Sequence, residues 1–478
     1  MKLVHSWAKD FVAVPKPERV RQILDGVGLP VEGIGSSVAL PATVVVGKVL
    51  EVKKHPNADR LRVTQVDCGE KESRTIVCGA PNVAVEKKVS VALPGTLLPD
   101  GTRIEVSAIR GVTSEGMLCA ADELGLGSNH AGILILPEKA KIGERVDSVL
   151  PSDTVYDVEV MPNRPDCLSV YGLAREIAAA EKKPLKKLPH PATIRGKSPL
   201  KILLQDKKSC PFYSAQALTG VQVRPSPEWM QKRLLAAGIR PISAPVDITN
   251  YVMLEVGQPL HAFDARTIEG TTIVVRRAKA KESFLALDGV ERVLEPTMLV
   301  IADVEKAVAI AGVMGGEHSG IQPDTKRVIL ESALFHSTSI YRTSRTLKLT
   351  SESSARFSRG VDAECVQLAL SLATKLFVEL CGAKPEGGPA VAGRLPRVTT
   401  PFSVNVRRMN ALLGTQVSSS QMRTMLKRLG VFSTGAGDRL RVTPPSWRHD
   451  ILIEEDIAEE VARSIGFNAI PRTIPPAT

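Results

Sequence analysis

The stretch that decides the fold of the first large domain is ATVVVGKVLEV, residues 42–52, where the pattern changes to the period-two spacing of a strand. Turn-forming pieces such as HPNAD and LPDG separate it from four segments of the same kind, RLRVTQVDCG (60–69), RTIVCGA (74–80), KKVSVALPG (87–95) and RIEVSAIRG (103–111). Five short strands in about a hundred residues predict a small closed barrel of the oligonucleotide-binding type. A generic β-sandwich fits the same pattern, and the pattern does not separate the two.

The whole chain predicts a multidomain α+β protein. Residues 1–40 have the spacing of a helical segment, and the barrel-type domain is assigned to residues 41–150. Residues 151–202 predict a helix and a basic linker, and residues 203–390 mix strands with helices in an α+β domain. Residues 400–475 predict two helices, a strand and a final helix, which resembles a winged-helix module, followed by an extended tail, PRTIPPAT. We find no internal repeat.

Composition restricts the class of protein and of partner. Among the 478 residues, 43% are apolar and 24% charged, and no apolar run is long enough for a membrane span, so we expect a cytoplasmic protein without membrane contact. The seven cysteines are scattered without a CxxC pair, which argues against disulfides and a structural zinc site. A net charge of +11 favours a polyanionic partner.

Basic residues cluster in the barrel-type domain. Residues 41–130 contain no Phe, Tyr or Trp, so base stacking is disfavoured, and contact with the phosphate backbone or the shape of an RNA is favoured. A solvated basic face that serves solubility is the alternative. The candidate RNA-binding residues are Lys48, Lys53, Lys54, Arg60, Arg62 and Arg110.

Polar residues in apolar surroundings mark a candidate site in the α+β domain. Asn250 and His261 lie in ITNYVMLEVGQPLHAF, and Glu331 lies in VILESALF, where an unpaired buried carboxylate would be costly. Gly315 and Gly316 permit close backbone approach to a ligand. A buried histidine with an ordinary core role is the alternative. No nucleophile–base motif is present, so only hydrolysis by water would fit.

The final helix is unusually acidic. Six carboxylates lie between residues 450 and 460, and Asp456, Glu459 and Glu460 share a helix face onto which Asp450 can fold back. Carboxylate oxygens in such an arrangement suit Mg²⁺. The alternative is a solvated helix start, because acids in the first turn favour the helix dipole.

Several longer motifs give a specific resemblance. They are VVGKVLEVKKHPNADRLRVTQVDCG, IVCGAPNV, IRGVTSEGMLCA, MPNRPDCLSVYGLAREIAA, PVDITNYVMLEVGQPLHAFD, AGVMGGEHSGI, ILESALFHSTSIYRTSRTL, RFSRGVD and TPPSWRHDILIEEDIAEEVARSIGFNAIP. Together they cover nearly the whole chain. In this order they resemble the beta subunits of bacterial phenylalanyl-tRNA synthetases.

The resemblance implies an oligonucleotide-binding-type tRNA domain, an editing domain of the B3/B4 type and a winged-helix-like B5 domain. In that family the editing domain hydrolyses tyrosine wrongly esterified to tRNA(Phe). The position of Glu331 reads the tyrosine hydroxyl, and those of His261 and Asn250 hold the ester end or an attacking water. Ser351 keeps the hydroxyl of the family's threonine, whereas Ser353 replaces a methyl with a polar group.

The resemblance also implies partners and a metal. The positions of Asp450, Asp456, Glu459 and Glu460 are the family's Mg²⁺ ligands, shared with a catalytic alpha subunit that uses ATP in an alpha2beta2 tetramer. This chain has no ATP-binding motif such as GxxxxGK[ST]. It also stops where the family continues with a synthetase-like module and an anticodon-binding domain, so a short form is expected.

Two alternatives remain open at this point. One is a truncated or split-gene product that binds tRNA or edits it without an alpha subunit. The other is a winged-helix DNA-binding protein that uses residues 400–465.

Overall fold

The computed structural model describes residues 1–38, 40–127, 130–191, 194–396 and 399–470. The tail predicted for residues 471–478 therefore lies outside the described residues. The chain divides into two compact units, of which one comprises residues 35–155 and 231–241 and the other comprises the remaining residues. In the described ranges, no helix has the length and apolar character needed to cross a membrane.

The helices are, in chain order, α1 (His5–Ala8), α2 (Pro17–Gly26), α3 (Val146–Val149), α4 (Val170–Glu181), α5 (Glu228–Ala236), α6 (Ala244–Val256), α7 (Ser337–Thr346), α8 (Glu352–Arg359), α9 (Cys365–Cys381), α10 (Val406–Leu413), α11 (Ser419–Arg428) and α12 (Glu454–Ile465).

The strands of the first third of the chain are β1 (Lys2–Val4), β2 (Val31–Ser36), β3 (Val44–His55), β4 (Ala58–Asp67), β5 (Arg74–Cys78), β6 (Lys88–Ala92), β7 (Ser107–Ile109), β8 (Val112–Ser114), β9 (Met117–Leu118) and β10 (Thr154–Val158). The later strands are β11 (Lys201–Leu204), β12 (Phe212–Thr219), β13 (Leu260–Asp264), β14 (Thr272–Arg277), β15 (Glu282–Leu285), β16 (Glu291–Leu294), β17 (Leu299–Ala302), β18 (Ala307–Ile310), β19 (Met314–Gly315), β20 (Arg327–Leu334), β21 (Lys384–Pro385), β22 (Ala390–Gly393), β23 (Phe402–Asn405), β24 (Phe432–Ala436) and β25 (Arg439–Thr443).

The smaller unit is built on an antiparallel sheet in the order β5-β4-β3-β6-β9. Its buried side includes Val49, Val66, Ile76 and Val91, because these β-branched residues alternate with polar ones along the strands. Among the described residues the sheet keeps β5 and β9 as edge strands. Closure into a barrel therefore stays a prediction.

The larger unit contains two five-stranded sheets in its middle part. One has the order β13-β20-β12-β21, with β22 also paired to β12, and the other has the order β11-β14-β17-β18-β19. Their shared core includes Phe263, Val300 and Ile329. Helix α9 packs on β20, where the Ser332 hydroxyl donates to Val366 O at 2.7 Å. The predicted multidomain α+β class is confirmed.

The last part of this unit has a sheet in the order β23-β25-β24 against α10, α11 and α12. Ile457 and Val461 of α12 are buried because residues four apart lie on one helix face. The Asp456 carboxylate accepts the backbone N–H groups of Leu452 and Ile453, which caps the start of this helix. The three predicted helices and the strand β25 are present, whereas β23 and β24 were not predicted.

Candidate functional site

Two of the predicted site residues lie directly opposite each other in a sheet. His261 of β13 pairs in register with Glu331 of β20, and Ala215 of β12 pairs with Glu331 on its other side. Directly opposed residues of an antiparallel pair project their side chains to the same face within about 5.5 Å at Cβ. The sheet therefore brings together an imidazole and a carboxyl that are 70 residues apart in the chain (331 minus 261).

Burial shifts both groups towards their neutral forms. Nε2 of His261 is buried without a hydrogen-bond partner among the described residues, and burial lowers the pKa of this imidazole to about 4. Burial raises the pKa of Glu331 to about 7, although the hydrogen bond from Tyr213 opposes the rise. Near neutral pH the site thus holds a neutral imidazole beside a carboxyl that titrates. The imidazole can orient or polarise a water molecule, and the carboxyl can accept a hydrogen bond from a hydroxyl group.

Gly315 makes room for the histidine. A Cβ on Gly315 would overlap the imidazole, lying 2.7 Å from Nε2 of His261, and would also lie 3.0 Å from Leu287 Cδ1. A Cβ on Gly316 would lie 2.9 Å from Val308 O, the carbonyl that accepts the Gly316 N–H. Both glycines are therefore required by close packing. A cavity of about 560 Å³ borders Gly316, but neither His261 nor Glu331 lines it.

Ser351 and Ser353 act on the segment that precedes these glycines. The Ser351 hydroxyl donates to Val313 O at 2.7 Å, and the Ser353 hydroxyl donates to Gly312 O at 3.2 Å. Ser351 is also the N-cap of α8, where its oxygen accepts the Ser354 N–H. Their hydroxyls therefore fix a backbone segment. The polar atom of Ser353 is satisfied by that segment.

Asn250 is not joined to this pair by a hydrogen bond. It lies within α6 and is half-buried, and in the described part of the chain its side chain has no recorded bond to His261 or Glu331. Helix α6 packs against β13, which carries His261. The structure therefore places Asn250 on a neighbouring element and leaves its role a prediction.

The predicted RNA-binding cations divide into paired and unpaired groups. Lys48 and Lys53 bind Glu86 and Glu51 at 2.7 Å and 2.8 Å. Within the described ranges, no carboxylate pairs with the remaining cations. These are Lys54, Arg60, Arg62 and Arg110.

The unpaired cations lie close together. Lys54 and Arg62 lie directly opposite each other in the β3–β4 ladder. Their positive charges repel each other unless an anion lies between them. The Asn57 amide donates to Arg110 O at 3.0 Å, which ties the tip of this hairpin to the β7–β8 turn. Lys54, Arg60 and Arg62 thus lie on the β3–β4 hairpin and Arg110 lies on the turn tied to its tip, which fits a phosphate-binding surface.

The acidic residues of α12 are not gathered into one cluster. Glu459 is exposed, Asp456 caps the helix, and Glu460 is 1% exposed and accepts bonds from Arg448 and Arg463 at 2.5 Å and 2.7 Å. Asp450 binds Arg448 through both oxygens at 2.8 Å. Because guanidinium groups hold two of the four predicted ligands, the donor set does not fit a four-carboxylate cation site.

Arg448 belongs to a buried network that sequence analysis missed. Arg164 makes the same contacts as Arg448, atom for atom: its Nε and Nη2 bind Asp166 at 2.9 Å, and Nη2 binds Glu176 at 2.6 Å. Arg463 joins the two halves through Glu460 and through Glu176 at 2.7 Å. Although burial alone would raise the pKa of Glu176, the arginines lower it to about 2.

The network contains two copies of one local arrangement of charged residues. In both copies an arginine is followed by an aspartate two positions later and a glutamate twelve positions later. Each glutamate is the seventh residue of its helix, Glu176 in α4 and Glu460 in α12.

One group near the first copy has the side chains of a metal site. Possible ligand atoms of Asp166, Cys167 and Glu176 lie within 4.8 Å of one another, but Arg164 already binds the two carboxylates.

Comparison with known proteins identifies the three domains. Residues 44–145 match a family described as putative tRNA binding domain, residues 209–382 match the B3/4 domain, and residues 402–467 match the tRNA synthetase B5 domain. A curated protein from Syntrophus aciditrophicus, named phenylalanine--tRNA ligase beta subunit, is 42% identical over 99% of this chain. A protein of the same name from Dechloromonas aromatica is 41% identical over 99% of the chain.

The chain is homologous to phenylalanine--tRNA ligase beta subunits. It spans 60% of the length of these two relatives. The structure of an N-terminal fragment of the phenylalanyl-tRNA synthetase beta subunit from Pyrococcus horikoshii aligns with 66% of this chain and 87% of its own length, at 18% identity and a TM-score of 0.36. The resemblance expected from the motifs is confirmed.

The three family matches show in which domain each feature described above lies. The His261–Glu331 pair and Gly315 lie in the B3/4 domain, and the four unpaired cations lie in the tRNA-binding domain. The second copy of the arginine network lies in the B5 domain, whereas the first copy precedes the B3/4 domain.

Proposed function

We propose that this chain acts as a phenylalanine--tRNA ligase beta subunit that binds tRNA(Phe) and hydrolyses tyrosine wrongly attached to it. The observation that carries the proposal is the His261–Glu331 pair, with Gly315 packed against the imidazole. A pocket with a carboxyl acceptor gains a hydrogen bond from tyrosine that phenylalanine does not offer. A synthetic site for phenylalanine, in contrast, discriminates weakly against an added hydroxyl.

Each side chain then has a defined role. Glu331, once ionised, accepts a hydrogen bond from the phenolic hydroxyl of the tyrosyl group. His261 stays neutral at physiological pH because its pKa is about 4, so its ring nitrogens can bind the attacking water or the ester end. Gly315 leaves the space that the imidazole of His261 occupies, and Gly316 borders the neighbouring cavity. Asn250 is the further candidate for holding the ester end.

The wider assignments belong to the same proposal. We assign ATP-dependent aminoacylation to an alpha subunit, in a cytoplasmic alpha2beta2 enzyme, because this chain has no ATP-binding motif. Lys54, Arg60, Arg62 and Arg110 would contact tRNA phosphates, since they lie on the β3–β4 hairpin or the turn tied to it and have no paired carboxylate among the described residues.

The proposed metal ligands include two carboxylates that arginines bind in this chain. Mg²⁺ bound by Asp450, Asp456, Glu459 and Glu460 would require Asp450 and Glu460 to leave Arg448 and Arg463. Mg²⁺ ligation therefore stays a prediction for the complex with the alpha subunit. Isothermal titration with MgCl₂ of the chain alone and of the complex tests it, and binding by neither would refute it.

Deacylation of tyrosyl-tRNA(Phe) by the purified full chain tests the proposal. We expect hydrolysis well above the spontaneous rate, and a loss of about 100-fold in His261→Ala, in the range found for positioned acid–base groups. A matched control is His336→Ala, an exposed histidine of the same domain. A wild-type rate equal to the spontaneous rate would refute the editing function.

Association with an alpha subunit tests the second part. The two chains, co-expressed and separated by size, are expected to elute together with phenylalanine-activating activity. Elution of this chain alone would favour an editing protein that works without the alpha subunit.

A further inference from the structure

The Tyr213 hydroxyl donates a hydrogen bond to Oε2 of Glu331 at 2.5 Å. We propose that Tyr213 is the positioning residue of the site: it holds one oxygen of Glu331 so that the other is presented to the hydroxyl of the ligand. The proposal rests on the editing function proposed above and adds to it the residue that controls the tyrosine-reading carboxyl.

The geometry of the sheet fixes this contact. Tyr213 of β12 pairs with Ala333 of β20, and Ala215 pairs with Glu331, so Tyr213 is a diagonal neighbour of Glu331 on the same face. Tyr213 has no exposed surface, and Glu331 is 7% exposed. A buried phenol in a central strand has little freedom to turn away, so it restricts the rotation of the carboxyl.

One oxygen of Glu331 remains available. A carboxylate has two oxygens and about four acceptor positions. Tyr213 occupies Oε2, and among the described residues no donor to Oε1 is recorded. The hydroxyl of a tyrosyl ligand is chemically the same donor as that of Tyr213, and Oε1 can accept it in the same way.

Tyr213 also controls the charge of the acceptor. The titratable groups that face Glu331 in the described structure are Tyr213 itself, His261 across the ladder and the thiol of Cys210. Of these, the Tyr213 hydrogen bond is the one that lowers the pKa of Glu331, against the larger effect of burial. Without this bond, Glu331 would take up its proton at a higher pH and become a weaker acceptor.

The test is the ratio of the deacylation rates of tyrosyl-tRNA(Phe) and phenylalanyl-tRNA(Phe), measured with the full chain between pH 6 and pH 9. In Tyr213→Phe we expect the ratio at pH 7.5 to fall about tenfold, the difference between a charged and a neutral acceptor. The pH at which the ratio reaches half its maximum should move upwards. Tyr341→Phe, which removes the hydroxyl of an exposed tyrosine, is the matched control.

A second variant tests the idea without removing the hydroxyl. Incorporation of 3,5-difluorotyrosine at position 213 makes the phenol a stronger donor, so the half-maximal pH should move downwards. A purely structural role would move neither midpoint.

The outcomes separate the two levels of the argument. If the wild type is selective but its ratio and midpoint are unchanged in both variants, the positioning role is refuted and the editing function stands. If the wild type hydrolyses neither ester above the spontaneous rate, both are refuted.

Discussion

Replacement of Glu331 by glutamine should change the pH dependence of local stability in the B3/4 domain. Burial raises the pKa of Glu331 from 4.5 to about 7, and a difference of about 2.5 units at 1.36 kcal/mol each is about 3.4 kcal/mol. The folded state holds this proton between pH 4.5 and about 7, whereas the unfolded state does not, so its contribution to stability falls as pH rises through that range. Glutamine keeps the shape and the acceptor oxygen for Tyr213 but has no proton to lose.

His261 makes the opposite contribution. Its pKa falls from 6.5 to about 4, so the unfolded state binds a proton that the folded state lacks, and stability rises with pH between these values. The two slopes oppose each other between about pH 4.5 and 6.5, so the wild type should vary little there. The Glu331→Gln variant should lose that balance and become less stable as pH falls below 6.5.

Hydrogen exchange followed by mass spectrometry measures this locally, which suits a chain of two compact units. Variant and wild type are compared at the same pH, so that intrinsic exchange rates cancel. In peptides from β13 and β20, the stability difference should shift in favour of the variant by about 3 kcal/mol between pH 4.5 and pH 8. Glu317→Gln, at an exposed position, is the control. An equal difference at both pH values would refute the assigned burial.

Three further predictions concern packing, the arginine network and tRNA binding. Gly315→Ala should destabilise the domain by about 1–3 kcal/mol, because the added Cβ would overlap the ring of His261. The variant should therefore show a lower Tm, and an unchanged Tm would contradict the packing. Arg448→Met removes the guanidinium that holds half-buried Asp450 and leaves buried Glu460 with Arg463 alone, so it should destabilise the chain by about 1–3 kcal/mol in urea unfolding. EDTA should leave the wild-type curve unchanged, and a destabilising effect of EDTA would argue for a bound cation. Arg62→Ala should weaken tRNA binding and reduce the slope of log binding constant against log salt concentration by about 0.7–0.9. Arg103→Ala, at an exposed position, is the control and should change neither. Equal slopes in the wild type and both variants would exclude a phosphate contact by Arg62.

Sequence reasoning predicted the elements that carry strong periodic patterns. The strands from Val44 to Ala92 follow from period-two spacing and β-branched residues, although β6 is buried at four successive positions. Helix α12 follows from apolar residues that recur at helical spacing. Strands β23 and β24 were missed because they are short and mostly exposed, and such strands depend on their partner β25 more than on their own residues.

The arrangement of the site was harder to predict. Glu331 and His261 were singled out as polar residues in apolar segments, but their direct pairing depends on a register between distant strands, which the local sequence does not fix. Tyr213 was missed because a tyrosine in an apolar strand is indistinguishable from a core residue until its hydroxyl partner is known.

For the acidic helix α12, the sequence predicted the positions of the carboxylates but not their partners. Spacing placed carboxylates on one helix face, but the arginines that bind Asp450 and Glu460 include Arg448, which precedes the helix. The spacing of arginine, aspartate and glutamate, which occurs twice, was the available signal. It was not recognised because the intervening residues differ between Arg164 and Arg448.

The central claim is that Glu331 recognises the hydroxyl of a misattached tyrosine. The most direct measurement is the single-turnover deacylation of tyrosyl-tRNA(Phe) and phenylalanyl-tRNA(Phe) at pH 8 by the wild type and by Glu331→Ala. The account predicts that the wild type prefers the tyrosyl ester and that the variant loses this preference by at least about tenfold, the free energy of a hydrogen bond to a charged group. An unchanged preference in a folded Glu331→Ala variant would contradict it.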